Sequence, residues 1–496
     1  MALSALHLGN DLCNVWLEKD GGPEKIFALS LFTDGLSETD EEELRVRGKA
    51  RRELGAAWRN LQDNPDDAGA WRTLSEMVKE LQAHFSFLDH MDQLPVERFE
   101  SPLNAGEAMV FGEHVLRRLW SLPVVYVPLR RLRKLRGKAF DGRDYSYYDR
   151  ETATFSDPEP LYRDVRIVRA LLRHLIRARR EAGEPLRVVL GTPLPALAPT
   201  HAIFHKLARE AGFKAVILRP EEELITRHAL GTVDGPSLIL NFGTVGLDVS
   251  LCHEVDGRIE RHAVHVDNAG IRFDREIEHF IQEAIRRSEG DGDTRPVFEP
   301  ISASRLFFWK DARVSTIWPR IRDSEAWFSE FQYPYKVRDK LTFRDVRPLL
   351  EDTVLVEAAE TAFAEPLERA LRHLRRVDKR AFAAATERVI VAGSGSRLDV
   401  IPRLVSEAVA TVLEDPGAEP RVEAVSEALD AVVEGAWSTA ATVSEDDWAA
   451  IEALQADWDR TPLEDLGLET WFKTWSGLMA DEASRRTLKF PLSYTD

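Results

Sequence analysis

The chain has 496 residues, with 66 lysines and arginines against 84 aspartates and glutamates, and therefore a formal net charge of -18. This acidic balance argues against binding to nucleic acid or to an anionic membrane, because both need clustered positive charge. Two cysteines are too few for a disulfide framework or a thiolate metal site. We expect a cytoplasmic protein, since there is no signal-peptide pattern and no apolar run near the ~20 residues of a membrane helix.

The first 240 residues predict alternating strands and helices. Two apolar runs on either side of the turn Asp20–Pro23 predict a β-hairpin. A charged stretch with helical spacing of its apolar residues follows, and an amphipathic helix is predicted over Tyr162–Ala182. Buried-strand patterns then lie at Leu186–Leu190, Ala215–Leu218 and Ser237–Leu240. This alternation predicts an α/β fold around a largely buried sheet.

Two glycine-containing turns follow buried strands in the second half of the chain. Asn241–Gly246 separates two predicted strands, and Gly393–Ser396 separates a strand from the predicted helix Leu398–Leu413. Glycine lets backbone N–H groups approach an anion closely, so both turns are candidates for phosphate binding. Each turn is weak evidence by itself, because neither is a Walker or dinucleotide motif and most glycine turns are only turns.

The order of several segments along the chain is more specific than any single turn. They are Leu6–Val15, Gly106–Gly112, Val127–Phe140, Ala208–Pro220, Asn241–Ser250, Ala269–Asp274, Pro366–Leu371, Val389–Leu398, Asp430–Trp437 and Thr461–Thr470. In this order they resemble the motifs of the actin-like ATPase superfamily and, within it, of the nucleotide-binding domain of Hsp70 chaperones. The last segment resembles the approach to the Hsp70 peptide-binding domain.

The resemblance implies an α/β, two-lobed actin-like fold of the Hsp70 nucleotide-binding type. Lobe I would comprise residues 1–37 and 101–240, with a helical insertion at 38–100. Lobe II, with an adenosine-type loop, would comprise residues 241–440. Residues 441–496 would form a short acidic, tryptophan-rich C-terminal extension that resembles the start of a peptide-binding domain.

Several positions that the family uses for catalysis carry other residues here. The family's aspartate in the first phosphate loop is replaced by His7, and its glutamate before proline by Arg219. In the second phosphate loop the first aspartate becomes Asn241 and the threonine becomes Gly246, whereas Asp248 keeps its carboxylate. These losses argue against Mg²⁺ and against efficient ATP hydrolysis, which needs carboxylate-held metal and a base.

A catalytic role would fall on Asp248 and on the arginine at the family's lysine position, if the chain is active at all. If the motif is aligned without a gap, this position is Arg133; if one gap is allowed, it is Arg130. An arginine can bind phosphate through two N–H groups but does not replace lysine chemically. We predict no metal ligands.

The positions implied for nucleotide binding are better preserved, and ATP or ADP are the cofactors that they could take. Arg286 replaces a lysine in the family's Glu-x-x-Lys-Arg pattern, and Arg397 matches an arginine that lies against adenine. The complete set is Gly9, Gly243, Gly270, Glu283, Arg286, Arg287, Gly393, Ser394, Ser396 and Arg397.

Histidine and tryptophan residues supply further candidates. His201 and His205 have the i, i+4 spacing of a metal pair, but we expect them on a helix surface because no third ligand is evident. The odd spacing of His262 and His265 predicts opposite faces of a strand. The tryptophans between 437 and 475 suggest either burial in small satellite cores or a protein-binding surface.

We therefore expect a degenerate Hsp70-like chaperone protein or pseudo-ATPase scaffold that acts through protein partners. Two alternatives stay open: an active ATP-hydrolysing Hsp70-type chaperone with a rearranged site, and a filament-forming actin-like protein. A sugar or acetate kinase of the same superfamily is less well supported, because no plausible catalytic aspartate for a substrate hydroxyl is found.

Overall fold

The computed structural model describes residues 2–34, 53–81, 98–112, 126–193, 198–230, 235–283, 333–344, 352–414, 420–456 and 461–485, apart from short breaks within these ranges. No helix in this part of the chain is long and apolar enough to cross a membrane.

The first half of the chain alternates strands and helices. Its strands are β1 (Ala2–Leu8), β2 (Leu12–Lys19), β3 (Gly22–Leu29), β4 (Phe32–Asp34), β5 (Arg98–Glu100), β6 (Ala108–Phe111), β7 (Arg136–Lys138), β8 (Asp144–Ser146), β9 (Tyr148–Asp149), β10 (Thr154–Phe155), β11 (Leu186–Thr192) and β12 (Phe213–Pro220). Its helices are α1 (53–61), α2 (Ala68–Leu81), α3 (Pro128–Lys134), α4 (Glu159–Leu175), α5 (Arg177–Glu181), α6 (Ala198–Ala211) and α7 (Glu221–Leu230).

The main sheet of this half has the order β12-β11-β1-β2-β3. Strands β1, β2 and β3 are antiparallel neighbours, whereas β1, β11 and β12 run parallel to one another. Every residue of β11 is buried, as expected for a parallel strand covered on both faces. This sheet and its helices form the first lobe.

The second half contributes the remaining elements. Its strands are β13 (Ser237–Phe242), β14 (Gly246–Val255), β15 (Arg258–Asp267), β16 (Tyr333–Val337), β17 (Lys340–Arg344), β18 (Val389–Ala392) and β19 (Val422–Ala424). Its helices are α8 (Asp352–Ala359), α9 (Glu365–Val377), α10 (Lys379–Ala385), α11 (Val400–Leu413), α12 (Ala431–Thr442), α13 (Glu445–Ala456), α14 (Leu463–Leu466) and α15 (Leu468–Arg485). A π-helical turn joins α8 to α9, and a 3-10 turn follows β18.

The second lobe repeats the topology of the first. Its sheet has the order β15-β14-β13-β18-β19, with three antiparallel strands followed by two parallel ones. The strand order is therefore the same in both lobes, although the sequence shows no internal repeat. Equivalent central strands, β1 and β13, each continue through a short turn into an antiparallel partner.

Helices α7 and α12 pack between the two sheets and join the lobes. Their apolar residues share one buried cluster with Ala5 of β1 and Ile239 of β13. The two helices cross so closely that a Cβ on Gly435 would lie 2.0 Å from the carbonyl oxygen of Leu224. Only glycine fits at this crossing, so the approach of the helices depends on Gly435.

The two helices described within the predicted insertion pack against the second lobe. Leu54, Trp58 and Leu61 of α1 and Leu74 of α2 are buried in the same apolar cluster as Phe273. The helical character predicted for this stretch is confirmed for α1 and α2.

The C-terminal helices pack onto the first lobe. Trp448, Trp471 and Trp475 are buried, and the indole N–H of Trp471 donates to the carbonyl oxygen of Ala202 at 2.8 Å. The hypothesis that these tryptophans form a protein-binding surface is therefore wrong for these three residues. They instead fix helices α13 and α15 to the lobe, because each buried indole removes a large apolar area from water.

Candidate functional site

Two short turns mark the ends of the equivalent strands β1 and β13. The N–H of Gly9 donates to the carbonyl oxygen of Leu12 at 2.7 Å, closing the β1–β2 turn. The N–H of Gly243 donates to the carbonyl oxygen of Gly246 at 2.9 Å, closing the β13–β14 turn. Since both lobes have the same topology and face each other across α7 and α12, the two turns border one cleft.

An ion-paired cluster from the first lobe lies beside the first turn. The guanidinium of Arg133 donates to both carboxylate oxygens of Glu221, at 2.7 and 3.3 Å, and to the carbonyl oxygen of Leu8 at 2.6 Å. Nε2 of His7 lies 3.3 Å from the same carboxylate. The side chain of Glu221 is only 1% exposed, so this carboxylate is held inside the protein by two basic groups. The structure thereby selects Arg133, not Arg130, for the cleft.

Glu221 is ionised despite its burial. Burial by itself would raise the pKa of this carboxyl, but the charges of Arg133 and His7 and their hydrogen bonds outweigh it, and the net pKa lies well below its usual range. Glu221 is also the first residue of α7, where the helix dipole favours negative charge. The first lobe therefore contributes a fixed negative charge that is neutralised locally.

Glu221 supplies a carboxylate next to the position that the motif resemblance assigns to Arg219. Nε of Arg219 lies 3.9 Å from Glu223, the third residue of α7. The carboxylate in the cleft comes instead from the residue after Pro220. The sequence signal for this carboxylate was the run of three glutamates at the start of α7. The motif resemblance overlooked them because it places the glutamate before the proline.

The second lobe contributes a carboxylate that is paired with a histidine. Asp248 of β14 faces His265 of β15 in the strand register, and their Oδ1 and Nδ1 atoms are 2.5 Å apart. Burial raises the pKa of Asp248 and the negative charge of Glu221 adds to this rise, whereas His265 and Arg133 oppose it. Carboxylates from both lobes therefore act on each other across the cleft.

The histidine predictions have two different outcomes. His265 faces the cleft, whereas the ring of His262 lies 6.4 Å from that of His253 on the other face of the strand, which confirms the predicted opposite orientation. His201 and His205 are only 8% and 1% exposed, so the expectation of a helix surface is wrong for them. They lie on the buried face of α6 and pack inside the first lobe.

The glycines of the second turn are required by close packing. A Cβ on Gly246 would lie 2.5 Å from Cε1 of His265, so the family's threonine cannot occupy this position while the histidine keeps its place. A Cβ on Gly243 would lie 3.2 Å from the carbonyl oxygen of Gly246. Asn241 pairs with Asp248 across the same hairpin, so its side chain faces the cleft as well.

The predicted adenosine loop packs onto the end of β13. Gly393 has a φ of 84°, and a Cβ there would lie 2.5 Å from both Oδ1 of Asn241 and the carbonyl oxygen of Phe242. Ser394, Ser396 and Arg397 belong to the 3-10 turn that follows, in which the hydroxyl of Ser396 donates to the carbonyl oxygen of Gly393 at 2.8 Å. The loop is thus brought next to the second phosphate-type turn.

The remaining predicted nucleotide residues stay predictions. Gly270 and Glu283 are helical and half-buried, whereas Arg286 and Arg287 lie outside the described residues.

The donors in the cleft suit an anion better than a metal ion. Mg²⁺ prefers carboxylate and water oxygens, but Glu221 is held by Arg133 and Asp248 by His265. Within the described ranges, no group of three or more histidine, cysteine, aspartate or glutamate side chains could hold a metal ion. Arginine and histidine beside two glycine turns are donors that fit phosphate oxygens.

Comparison with known proteins finds likeness in structure but not in sequence. No protein-family model matches the chain, and no curated protein matches it. The structure resembles that of the MamK double helical filament, with a TM-score of 0.50 and 16% identity over 89% of this chain and 99% of the MamK chain.

Two further structures align less well. A non-polymerising MamK mutant bound to AMPPNP aligns with a TM-score of 0.47 and 15% identity, over 89% of this chain and 98% of that one. MreB5 of Spiroplasma citri bound to ADP aligns with a TM-score of 0.45 and 13% identity, over 88% and 94% of the two chains. The duplicated strand order and the likeness to the MamK filament subunit establish that this chain has the predicted two-lobed actin-like fold.

Proposed function

We propose that this chain is an adenine-nucleotide-binding, actin-like protein that acts by associating with other protein chains. The observation that carries the proposal is the convergence of the two glycine turns with Arg133, His7 and His265 on one cleft. A bound nucleotide would supply a phosphate chain that can bridge the two lobes. Arg133 and the backbone of the turns would bind this chain, and the Gly393–Arg397 loop would meet the adenosine.

Hydrolysis of the nucleotide is expected to be weak or absent. A general base works best when its pKa lies near the working pH. The pKa of Glu221 is instead held far below neutral by Arg133 and His7, against the effect of burial. Asp248 is the other candidate for a catalytic role, but its carboxylate is bound to His265.

Of the two kinds of association, assembly of copies of the chain has more support than a chaperone role. MamK, whose subunit shares the fold, has been captured as a double helical filament. The Hsp70 interpretation depends on motif resemblance only. Its segment at 461–470, expected at the approach to a peptide-binding domain, packs on the first lobe, where Leu463 N–H donates to Glu210 at 2.9 Å.

Nucleotide binding can be tested by calorimetric titration of the full chain with ADP and AMPPNP, with phosphate release from ATP measured in parallel. We expect both ligands to bind and Arg133→Met to weaken binding about tenfold, the value of one charge-assisted hydrogen bond. Arg166→Met is the matched control, since Arg166 forms an exposed ion pair with Glu159 in the same lobe. Absence of binding to the wild-type chain, or rapid Mg²⁺-dependent phosphate release, would contradict the proposal.

Assembly can be tested by light scattering and negative-stain electron microscopy with and without AMPPNP. Filaments that form when AMPPNP is added would support self-assembly. A chain that stays monomeric with every nucleotide, but binds unfolded model peptides, would favour the chaperone role instead.

A further inference from the structure

Both described cleft carboxylates are neutralised by basic side chains of the chain itself. Glu221 is paired with Arg133 and His7 from the first lobe, and Asp248 with His265 from the second. A divalent cation could bind these oxygens only after such pairs had been broken. Breaking a buried pair leaves its partner uncompensated, which is costly. The positive charge in this cleft is therefore built into the protein.

His265 has a position that the motif resemblance did not single out. Its Nδ1 atom is bound to Asp248, and the opposite edge of the ring runs along the second turn. A Cβ on Gly246 would lie 2.5 Å from Cε1 and 3.0 Å from Nε2 of this ring. The imidazole thus lies directly against the turn that the resemblance assigns to phosphate. Its side chain is 20% exposed, so solvent and small ligands can reach it.

Asp248 orients this ring, because its Oδ1 lies 2.5 Å from Nδ1 of His265. In other proteins a carboxylate bound to one ring nitrogen fixes the tautomer and stabilises the imidazolium that forms. The charged groups facing the pair are Glu221 and Arg133, which both act on Asp248 from the first lobe, and His7, which is bound to Glu221.

We propose that His265, held by Asp248 and seated against Gly246, forms a phosphate subsite that binds without a divalent cation. The imidazolium provides there the charge that a metal ion would otherwise provide. For the phosphate of a nucleotide, this inference rests on the proposed function. Free pyrophosphate presents the same phosphate oxygens, so its binding tests the subsite independently of nucleotide binding. The binding should strengthen as pH falls, because an imidazole gains its charge between about pH 8 and pH 6.

The test is calorimetric titration of the full chain with ADP and, separately, with pyrophosphate, in buffers containing either MgCl₂ or EDTA. We expect the wild-type affinities in the two buffers to agree within about threefold, since the charge-assisted hydrogen bonds come from the protein. His265→Gln should weaken binding in EDTA about tenfold and should flatten its pH dependence. His262→Gln is the matched control, because this residue lies on the same strand with its ring towards His253 on the other face.

Each outcome separates the subsite from the proposed function. Binding of ADP only with MgCl₂ overturns the subsite and leaves the nucleotide function standing. Binding of pyrophosphate in EDTA without binding of ADP supports the subsite and overturns the nucleotide function. Failure of both ligands in both buffers overturns both, and wild-type affinity of the His265→Gln variant in EDTA overturns the subsite. The comparison of buffers on the wild-type chain needs no variant and so does not depend on how well the variants fold.

Discussion

The two lobes share one strand order but hold their cleft carboxylates in different ways. In the first lobe Glu221 begins a helix and is bound by an arginine, and its pKa is lowered although burial opposes this. In the second lobe Asp248 lies within a strand and is bound by a histidine, and burial raises its pKa. Arginine does not release its proton in proteins, whereas histidine titrates near neutral pH. One topology thus carries a permanent ion pair on one side of the cleft and a titratable pair on the other.

The largest expected effect comes from breaking the permanent pair. Arg133→Met removes the guanidinium from the 1% exposed carboxylate of Glu221 and leaves only His7 beside it, which should cost about 4 kcal/mol of unfolding free energy. His265→Gln keeps a hydrogen-bond donor beside Asp248 and should cost about 1 kcal/mol. Chemical denaturation followed by circular dichroism measures both values.

The double variant Arg133→Met with Glu221→Met is the control for this contrast. Replacing both members of a buried pair by apolar residues removes the uncompensated charge, so most of the lost stability should return. Equal losses for Arg133→Met and His265→Gln would show that the two lobes do not differ in this way.

The next effect concerns a titratable carboxyl in the first lobe, away from the cleft. Burial raises the pKa of Asp164 on α4 to about 7, although Arg131 and Arg163 pull it down. The unfolded chain releases this proton near its ordinary value of 3.8, so the folded state binds more protons between 3.8 and about 7. Stability should therefore fall by about 4 kcal/mol as the pH rises through this window, and stay level above it.

Asp164→Asn removes this titration and should make the protein more stable than the wild type at pH 8 but not at pH 4. Thermal denaturation across the pH range measures the difference. Glu159→Gln on the same helix is the control, because the carboxylate of Glu159 is 72% exposed. A wild-type slope that survives in Asp164→Asn would assign the pH dependence of stability to other groups, and would leave the first lobe without the predicted titratable site.

The strands and turns that border the cleft could be predicted from sequence because their signals are local. A buried apolar run followed by a glycine turn was enough to locate β13 and the turn at Asn241–Gly246. The shared strand order of the two lobes could not be predicted in this way. Two sheets with the same strand order can be built from unrelated side chains, so the likeness leaves no repeat in the sequence.

The site residues depended on register and packing, which the sequence does not determine. Arg130 and Arg133 differ by less than one helical turn, and the packing of α3 against α4 and α6 decides which of them reaches Leu8 and Glu221. The carboxylate after Pro220 was missed because the motif resemblance places it before the proline, whereas Arg133 binds Glu221, the first residue of α7. The alternation of β15 correctly separated His262 from His265, but their partners His253 and Asp248 come from β14 and depend on its register.

The edges of the two sheets differ as well, and this contrast gives the smallest predicted effect. On the parallel side of the second sheet the edge strand is β19, which has three residues. The corresponding edge strand of the first sheet is β12, which has eight. Long unpaired edges invite pairing with other chains. Gln455 of α13 covers β12: its side-chain amide donates to Val216 O at 2.9 Å and accepts from Val216 N at 3.0 Å. One side chain therefore bonds to the edge as a neighbouring strand would.

Gln455→Leu should lower the free energy of unfolding by about 2 kcal/mol, because it leaves one buried N–H and one buried C=O unpaired. It should also raise light scattering by the native protein, since β12 becomes able to pair with another copy. Ala450→Leu is the control, because it adds an apolar side chain at an exposed position of the same helix. Scattering equal to that of Ala450→Leu would show that α13 protects the edge by its bulk alone. In that case the hydrogen bonds of Gln455 would serve stability and not the separation of chains.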